Sequence, residues 1–497
     1  MTAETIVTPS ETAGAGDRKW ITLALVVAAQ FMVVLDVAIV NVALPSIKTD
    51  LHFTQESLQW VVTAYAILFG GALLLGGRLS DLFGRRRLFM AGLVLFTLSS
   101  AVDGIAWSSG SLIASRAVQG LGAALLSPAA LSILMTTFRE GRERNIALGI
   151  WGAASGSGAA AGVLLGGVLT ASFGWPWIFY VNLPVGAALF ALSPVLLRAT
   201  RADIDHRHLD ARGAATITSG LMLLVYAMTR ASQHGWGSAS TIGLLAASAA
   251  LLVAFVAFEL RSPAPLLPMR LFRLRTLAVA NVAQLLVAAA LFSQFFLLTL
   301  YMQEVLHYSP IQAGAAYLTF TLSVIVVSNV AQALVTRVGI RPVLPVGLTM
   351  AAMGVFYYTR LPVHGHYFWD LFPAMLVAGI GLALSFVPMV IGGLTGVGQS
   401  DAGIASGLFT TSQQVGGAIG VAAATTIATT FTARYVDVHP GVGVLSAGAL
   451  THGFQIAFYV LAALLVFAAA LAASLIQSRP PAEEAAFDGE LALEIAA

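Results

Sequence analysis

Apolar residues follow one another along this chain in long runs, and short polar stretches separate the runs. A membrane-spanning helix needs about 20 mostly apolar residues. The pattern therefore predicts an all-α integral membrane protein. Its fourteen predicted spans cover residues 20–47, 58–77, 87–107, 111–137, 145–170, 176–197, 211–230, 239–259, 276–302, 311–335, 343–359, 369–395, 403–432 and 453–477.

The composition supports a lipid-facing exterior. Of the 497 residues, 58% are hydrophobic and 10% are charged, whereas an average soluble protein carries about 25% charged residues. A net charge of +2 gives no electrostatic support for nucleic-acid binding. The absence of cysteine excludes thiolate metal sites. No phosphate loop, hydrolase motif or zinc spacing is present, so we expect no metal, no cofactor and no enzymatic activity.

The distribution of basic residues predicts the orientation in the membrane. With a cytoplasmic N-terminus, 20 of the 25 lysines and arginines fall in inner segments and 4 in outer segments. Such a bias is typical of the cytoplasmic side. We therefore expect a cytoplasmic N-terminus at 1–19 and a cytoplasmic acidic tail at 478–497. The first apolar run is too long for a cleavable signal peptide.

The chain also repeats itself weakly at a nearly constant offset. Three pairs of glycines mark the repeat: Gly84 with Gly339, Gly92 with Gly347, and Gly120 with Gly379. Parallel repeats of this kind are common in transporters. The repeat predicts an N-terminal six-helix bundle at 20–197 and a C-terminal six-helix bundle at 276–477. Two inserted helices with their loops then occupy 198–275.

Asp36 is the acidic residue that we predict to lie deepest in the bilayer. It follows Trp20 by 16 residues, which places it roughly 24 Å along a helix. A carboxylate at such depth costs several kcal/mol, so a functional role is the default interpretation. Loss of water favours its protonated form, which suits a proton carrier. The other interpretation is a static ion pair with Arg116, and the two are compatible.

Other acidic residues are predicted near the ends of spans. Asp103, Glu259 and Glu304 all fall there. A dication would need more compensating charge than Asp36 supplies. We therefore expect neutral or singly charged lipophilic substrates to be preferred over dications.

The loop after the second span carries the most specific motif. It contains Gly77, Asp81, Gly84, Arg85 and Arg86. It resembles the major facilitator superfamily loop G-x-x-x-D-x-x-G-R-R/K. That resemblance implies that the motif forms a cytoplasmic gate between the two halves. The simpler interpretation is a basic inner loop with an incidental aspartate.

Further segments resemble the fourteen-helix drug:proton antiporter family of this superfamily. They are Leu35–Pro45, Arg116–Gly122, Gly158–Gly167 and Gly174–Pro184. The resemblance implies a major-facilitator fold in the bacterial cytoplasmic membrane. It also implies alternating access driven by the proton-motive force, with Asp36 and Arg116 coupling proton movement to export. Two departures are Ala38, where threonine is usual, and Pro176, where arginine is usual.

The third of these segments resembles the glycine-rich antiporter motif. Its glycines are Gly158, Gly162, Gly166 and Gly167, and Val163 replaces the usual proline. Small residues permit close helix contacts in a bilayer, so we expect this face to pack against the other half. The valine removes the reason to expect a proline kink.

Polar and aromatic residues inside the spans are candidates for a substrate cavity: Gln30, Asn41, Tyr65, Gln294, Thr410 and Gln413. Hydrogen bonding between helices is the other interpretation of the polar residues. The leading functional hypothesis is a monomeric, proton-coupled exporter of small lipophilic drugs or antibiotics. The alternatives are a dedicated exporter of one metabolite and a non-transporting membrane sensor or scaffold.

Overall fold

A computed structural model describes residues 10–53, 55–58, 60–139, 141–197, 210–262, 265–395, 397, 401–441 and 443–475. The predicted tail at 478–497 lies outside the described residues, as do the first nine residues and the stretch 198–209. Statements about absent contacts below refer to the described residues.

The predicted all-α membrane fold is confirmed. Among the described residues, thirteen helices are long and apolar enough to cross a membrane. One further helix, Ala211–His234, has a shorter apolar part at Arg212–Met228. We label the helices α1 Ser10–Asp50, α2 Trp60–Phe83, α3 Arg85–Gly104, α4 Ser109–Thr137, α5 Arg142–Phe173, α6 Trp177–Leu196, α7 Ala211–His234, α8 Ala239–Glu259, α9 Arg275–Val305, α10 Ile311–Val338, α11 Ile340–Arg360, α12 Tyr367–Leu394, α13 Ala402–Val438 and α14 Ala447–Leu475.

Helix ends follow from local residue chemistry. Ser108 and Ser111 form a capping box at the start of α4, and Ser309 and Gln312 form another before α10. These side chains satisfy backbone N–H groups that the helix itself leaves free. Gly84 joins α2 to α3 with a φ of 94°, a conformation that glycine adopts without steric cost. Tight connections of this kind allow neighbouring spans to pack antiparallel.

The helices form two six-helix groups, which we call the N-terminal half (α1–α6) and the C-terminal half (α9–α14). In the N-terminal half α4 packs against α2 and α3, and in the C-terminal half α12 packs against α10 and α11. The halves meet where α2 contacts α13 and where α5 contacts α10. These contacts leave the polar residues of α1 and α4 in the interior of the N-terminal half.

The inserted helices α7 and α8 pack against each other, and α7 contacts both α2 and α13. Gly71 of α2 has no room for a side chain because Met222 of α7 occupies that space. The Trp236 indole N–H, just beyond α7, donates to the Thr426 hydroxyl of α13 at 2.6 Å. The inserted pair therefore covers one of the two seams between the halves.

The antiporter-motif glycines do not behave as the sequence analysis predicts. Gly158, Gly162 and Gly166 lie directly against α1 of the same half, so the prediction that they pack on the other half is wrong. Only Gly167 faces the C-terminal half, at Ile311. The reason is helical geometry: residues four apart share one face of a helix, and in α5 that face is turned toward α1.

Another face of α5 carries the contact with the C-terminal half. Gly149 approaches Gln332, Gly152 approaches Phe386, and Val163 lies against Gly314. Val163 therefore takes part in the contact between the halves. Helix α5 runs unbroken through this position, as expected without the motif proline.

Candidate proton-coupling site and the contact between the halves

The structure brings Asp36 of α1 and Arg116 of α4 together in the interior of the N-terminal half. Asp36 is 0% exposed and Arg116 is 1% exposed. The guanidinium Nη1 donates to Asp36 Oδ2 at 2.6 Å. At 1.5 Å per residue, Asp36 lies roughly 12 Å before Leu44, the end of the apolar part of α1. The pair is thus within the membrane, on the side away from the arginine-rich loops.

Two amides complete the coordination of the Asp36 carboxylate. Gln119 Nε2 donates to Oδ1 at 3.0 Å, and Asn182 Nδ2 donates to the same oxygen at 2.8 Å. Asn182 lies near the start of α6. A buried ion pair is tolerated when further hydrogen bonds satisfy its remaining atoms, and these amides satisfy them.

Arg116 is held from several sides as well. Its Nε donates to the Val61 carbonyl at 3.3 Å, and its Nη1 also donates to Gln119 Oε1 at 2.5 Å. The Tyr65 ring lies 4.3 Å from the guanidinium carbon, within the range of a cation–π interaction. Adding a proton to Asp36 would remove the negative charge that this arginine faces. The arrangement can therefore link one protonation event to movement of α1 against α4.

Gln119 and Asn182 lie in two of the motif segments, Arg116–Gly122 and Gly174–Pro184, but their role was not predicted from the sequence. A usable signal was their presence as hydrogen-bonding residues inside apolar spans. The packing of Asn182 against Asp36 depends on how α6 lies against α1, which periodicity does not reveal.

Asp103 lies near the end of its span, as predicted, and its burial is what the sequence did not indicate. It is the next-to-last residue of α3, as its position suggested, but it is 0% exposed. Glu259 is also buried, at the end of α8, where it accepts from the backbone N–H groups of Leu266 and Leu267 at 3.0 and 3.2 Å. Burial at a helix end depends on what covers it, which only the packing decides.

The loop motif lies at the contact between α2 and α13. The Asp81 carboxylate accepts from the backbone N–H groups of Gly403 and Ile404, both at 3.1 Å. Those groups belong to the first turn of α13, where the helix dipole favours an anion. Arg85 Nη2 also donates to Asp81, at 3.4 Å. Asp81 therefore joins the two halves directly.

The remaining residues of the motif shape this contact. Gly77 lies against the backbone of Gly403, so closely that a side chain there would overlap it. Arg86 donates to the Leu197 carbonyl at 3.3 Å, at the end of α6. We call this side of the molecule, with Asp81, Arg85 and the start of α13, the arginine-rich face.

The six candidate cavity residues have different partners. Gln30 accepts from Ser127 at 2.8 Å, Asn41 donates to the Val37 carbonyl, and Thr410 donates to the Ser406 carbonyl. Tyr65 belongs to the Arg116 site, and Gln413 is half-buried on α13. Gln294 lines a cavity of about 10 Å³ within the C-terminal half, close to the size of one water molecule. A substrate cavity formed by this set stays a prediction.

The helices and the buried charge pair define a multi-pass membrane protein of two helix bundles, an architecture found in many transporters. A family model for the Major Facilitator Superfamily matches residues 26–421. The chain belongs to this superfamily, and the resemblance found in its sequence is confirmed.

Curated relatives and a solved structure agree with this assignment. The chain is 39% identical to the puromycin resistance protein of Streptomyces alboniger, over 95% of this chain and 94% of the relative. It is 42% identical to the cephamycin export protein of Amycolatopsis lactamdurans, over 82% and 85%. The human organic anion transporter MFSD10 superposes with a TM-score of 0.64 at 16% identity, covering 91% of this chain and 99% of that one. This last likeness concerns the fold alone.

Proposed function

We propose that this chain exports small lipophilic molecules from a bacterial cytoplasm in exchange for protons, by alternating access. The observation that carries the proposal is the Asp36–Arg116 pair, buried at 0% and 1% exposure and joined at 2.6 Å. An ionisable pair inside the membrane is expensive and marks ion or proton pathways. A static scaffold has no use for such a pair.

Protonation of Asp36 is the proposed driving step. A proton bound to the carboxylate leaves the Arg116 charge buried without its anion, and breaking such a pair costs roughly 3–5 kcal/mol. The protein relieves this cost by rearranging α1 and α4. One proton crossing about 100 mV supplies roughly 2.3 kcal/mol, and a pH gradient adds to it.

Asp81 is proposed as the latch that keeps the arginine-rich face closed. By the positive-inside rule this face is cytoplasmic, which places both termini inside. To admit a substrate from the cytoplasm, the carrier must withdraw the first turn of α13 from Asp81, breaking the two bonds at 3.1 Å. The closed arrangement corresponds to the state that faces outward.

The names of the relatives suggest compounds to test. One relative is named for puromycin resistance and another for cephamycin export, so an antibiotic is the proposed kind of substrate. Because each of those names refers to one compound, a dedicated exporter of a single antibiotic is the second candidate. Transport of structurally unrelated compounds by the same preparation would exclude it.

The experiment is transport by the purified protein in liposomes that contain a pH-sensitive dye. Puromycin and a cephamycin, added one at a time, should each be tested for a substrate-dependent proton flux and for uphill movement of the compound. Asp36→Asn should abolish both while the protein stays folded and inserted. Asp437→Asn, which removes an exposed aspartate near the far end of α13, serves as the matched control and should transport normally.

Full proton-driven transport by Asp36→Asn would refute the proposed coupling. If the unsubstituted protein transports none of a broad panel of compounds and shows no proton flux, a sensor or scaffold is favoured instead.

A further inference from the structure

Asp103 is a second fully buried carboxyl group, and it has no role in the transport cycle proposed above. One of its oxygens, Oδ1, accepts a short hydrogen bond from the Ser115 hydroxyl of α4. Its other oxygen, Oδ2, is buried and has no hydrogen-bond partner among the described residues. An ionised carboxylate with one oxygen left unsatisfied in the protein interior is strongly disfavoured.

The charged groups that face Asp103 come from two neighbouring helices. Arg116 of α4 and Asp36 of α1 both interact with it electrostatically. Tyr180 of α6 covers the adjacent position, since its hydroxyl donates to the Gly104 carbonyl at 2.9 Å and its ring fills the space beside Gly104. One buried arginine is therefore shared between two buried aspartates.

We propose that Asp103 is a second proton-binding carboxyl group, which shares the charge of Arg116 with Asp36. Its part in export rests on the function proposed above, whereas proton binding itself does not.

Charge balance supports this assignment. Two ionised aspartates with one arginine would leave a net negative charge in a dry interior, whereas one bound proton brings the cluster to neutrality. Asp36 accepts hydrogen bonds on both oxygens, from Arg116, Gln119 and Asn182. Asp103 accepts on one oxygen only. The resting proton therefore belongs on Oδ2 of Asp103, as a new O–H bond formed with a proton from water.

The location of Asp103 fits a role in proton entry. It is followed by the last residue of α3 and then by the exposed residues Ile105 and Trp107. This end of α3 is opposite the arginine-rich face, so it is the predicted outer side. Asp103 thus lies between outside water and Asp36. In the proposed order, a proton from outside water binds Asp36, and Arg116 then pairs with Asp103. The proton that leaves Asp103 passes to cytoplasmic water when the carrier opens inward.

Infrared spectroscopy of the reconstituted protein tests the proposal without any substrate. The C=O stretching band of protonated carboxyl groups is recorded during a pH titration of the unsubstituted protein, Asp103→Asn, Asp36→Asn and the control Asp437→Asn. We expect Asp103→Asn to lose a band that is present at neutral pH. We expect Asp36→Asn to keep this band but to change its titration midpoint, because the two groups are coupled through Arg116. Asp437→Asn should match the unsubstituted protein.

An unchanged neutral-pH band in Asp103→Asn would overturn the proposal. If Asp103→Asn does not fold, Asp103→Glu retains a carboxyl group and should show the band at a displaced frequency, and its absence would equally count against the proposal. If the band behaves as expected but no compound is transported, the proposed function is refuted while proton binding by Asp103 is supported. Where transport is active, Asp103→Asn should move fewer protons per exported molecule, and an unchanged ratio would contradict its role in export.

Discussion

The two halves meet at the arginine-rich face through two related contacts that differ in charge. Asp81 of α2 accepts from two backbone N–H groups at the start of α13, at 3.1 Å each. The corresponding position in the C-terminal half, by the sequence repeat, is Thr336 of α10. Its hydroxyl accepts from the Asn145 side chain near the start of α5 at 3.3 Å. At these two equivalent positions, one seam has a carboxylate at a helix N-terminus and the other has a neutral side-chain hydrogen bond.

Inside the halves the backbone contacts of glycine are alike. Gly84 and Gly339 both join successive helices with positive φ, at 94° and 82°. Gly120 lies on the backbone of Tyr65, and Gly379 lies on the backbone of Phe320 at the equivalent place. The close backbone contacts are therefore repeated, because glycine alone allows them.

The charged residues are not repeated. Aligned by the offsets of the repeat, Arg116 corresponds to Met375 and Asp36 to Leu291. Met375 is fully buried and Leu291 lies against the apolar core. The comparison teaches that the scaffold is symmetric while the chemistry proposed for coupling belongs to one half.

The largest expected effect comes from making the N-terminal half resemble the C-terminal half. Arg116→Met alone should destabilise the protein by roughly 3–5 kcal/mol, because it leaves Asp36 buried without its cation. The double replacement Asp36→Leu with Arg116→Met should recover most of that stability and yet lack proton-driven export. Thermal unfolding in detergent and the liposome assay measure the two properties. A double variant as unstable as the single one would show that the pair has a structural role that apolar residues cannot fill.

The next largest effect concerns the charged seam. Asp81→Asn removes the anion from the first turn of α13, and hydrogen bonds to charged groups contribute about 1.5–3 kcal/mol. The equilibrium between the inward-facing and outward-facing states should shift by roughly tenfold or more. We expect slower turnover and little change in substrate affinity. Labelling of single cysteines introduced on the two sides of the membrane measures which side of the carrier is open. The chain has no cysteine of its own, so there is no background labelling. Slow transport with unchanged labelling would argue against a latch.

Thr336→Val tests the neutral seam in the same assay. It removes one neutral hydrogen bond between the halves, the one from Asn145. Such a bond contributes about 0.5–1.5 kcal/mol, so the shift between inward-facing and outward-facing states should be several-fold smaller than that of Asp81→Asn. The pair of variants sharpens the comparison because both sit at the arginine-rich end of equivalent helices. Equal effects would mean that the charge at Asp81 is not what holds the halves together.

The smallest expected effect is on substrate charge. The cluster of Asp36, Arg116 and Asp103 is compact and already balanced by its own charges, so it has little negative charge left for a dication. We expect a monocation to be exported faster than a matched dication at equal concentration. Competition in the liposome assay measures this. Faster export of the dication would point to an acidic site elsewhere in the translocation path.

Much of the fold could be predicted from the sequence because lipid imposes simple rules. Apolar runs gave spans that match the helices to within a few residues at most ends, with α1 extending furthest beyond its prediction. The seventh span differs from the others because the apolar part of α7 is shorter, at Arg212–Met228. In the candidate site, the pairing of Asp36 with Arg116 could be predicted from the cost of burying either charge alone. The role of Asp81 at the contact between the halves could be predicted from its loop motif.

The sequence by itself determined the all-helical membrane architecture, the internal repeat and the two residues of the buried ion pair, because each follows from the cost of placing polar groups in lipid. Tertiary structure decided which partners complete that pair. Gln119 of α4 and Asn182 of α6 both reach Asp36, and Asp103 is covered although it lies at a helix end. It also decided that the antiporter-motif glycines face α1. These features depend on how helices are rotated and packed, which spacing along a single chain does not specify.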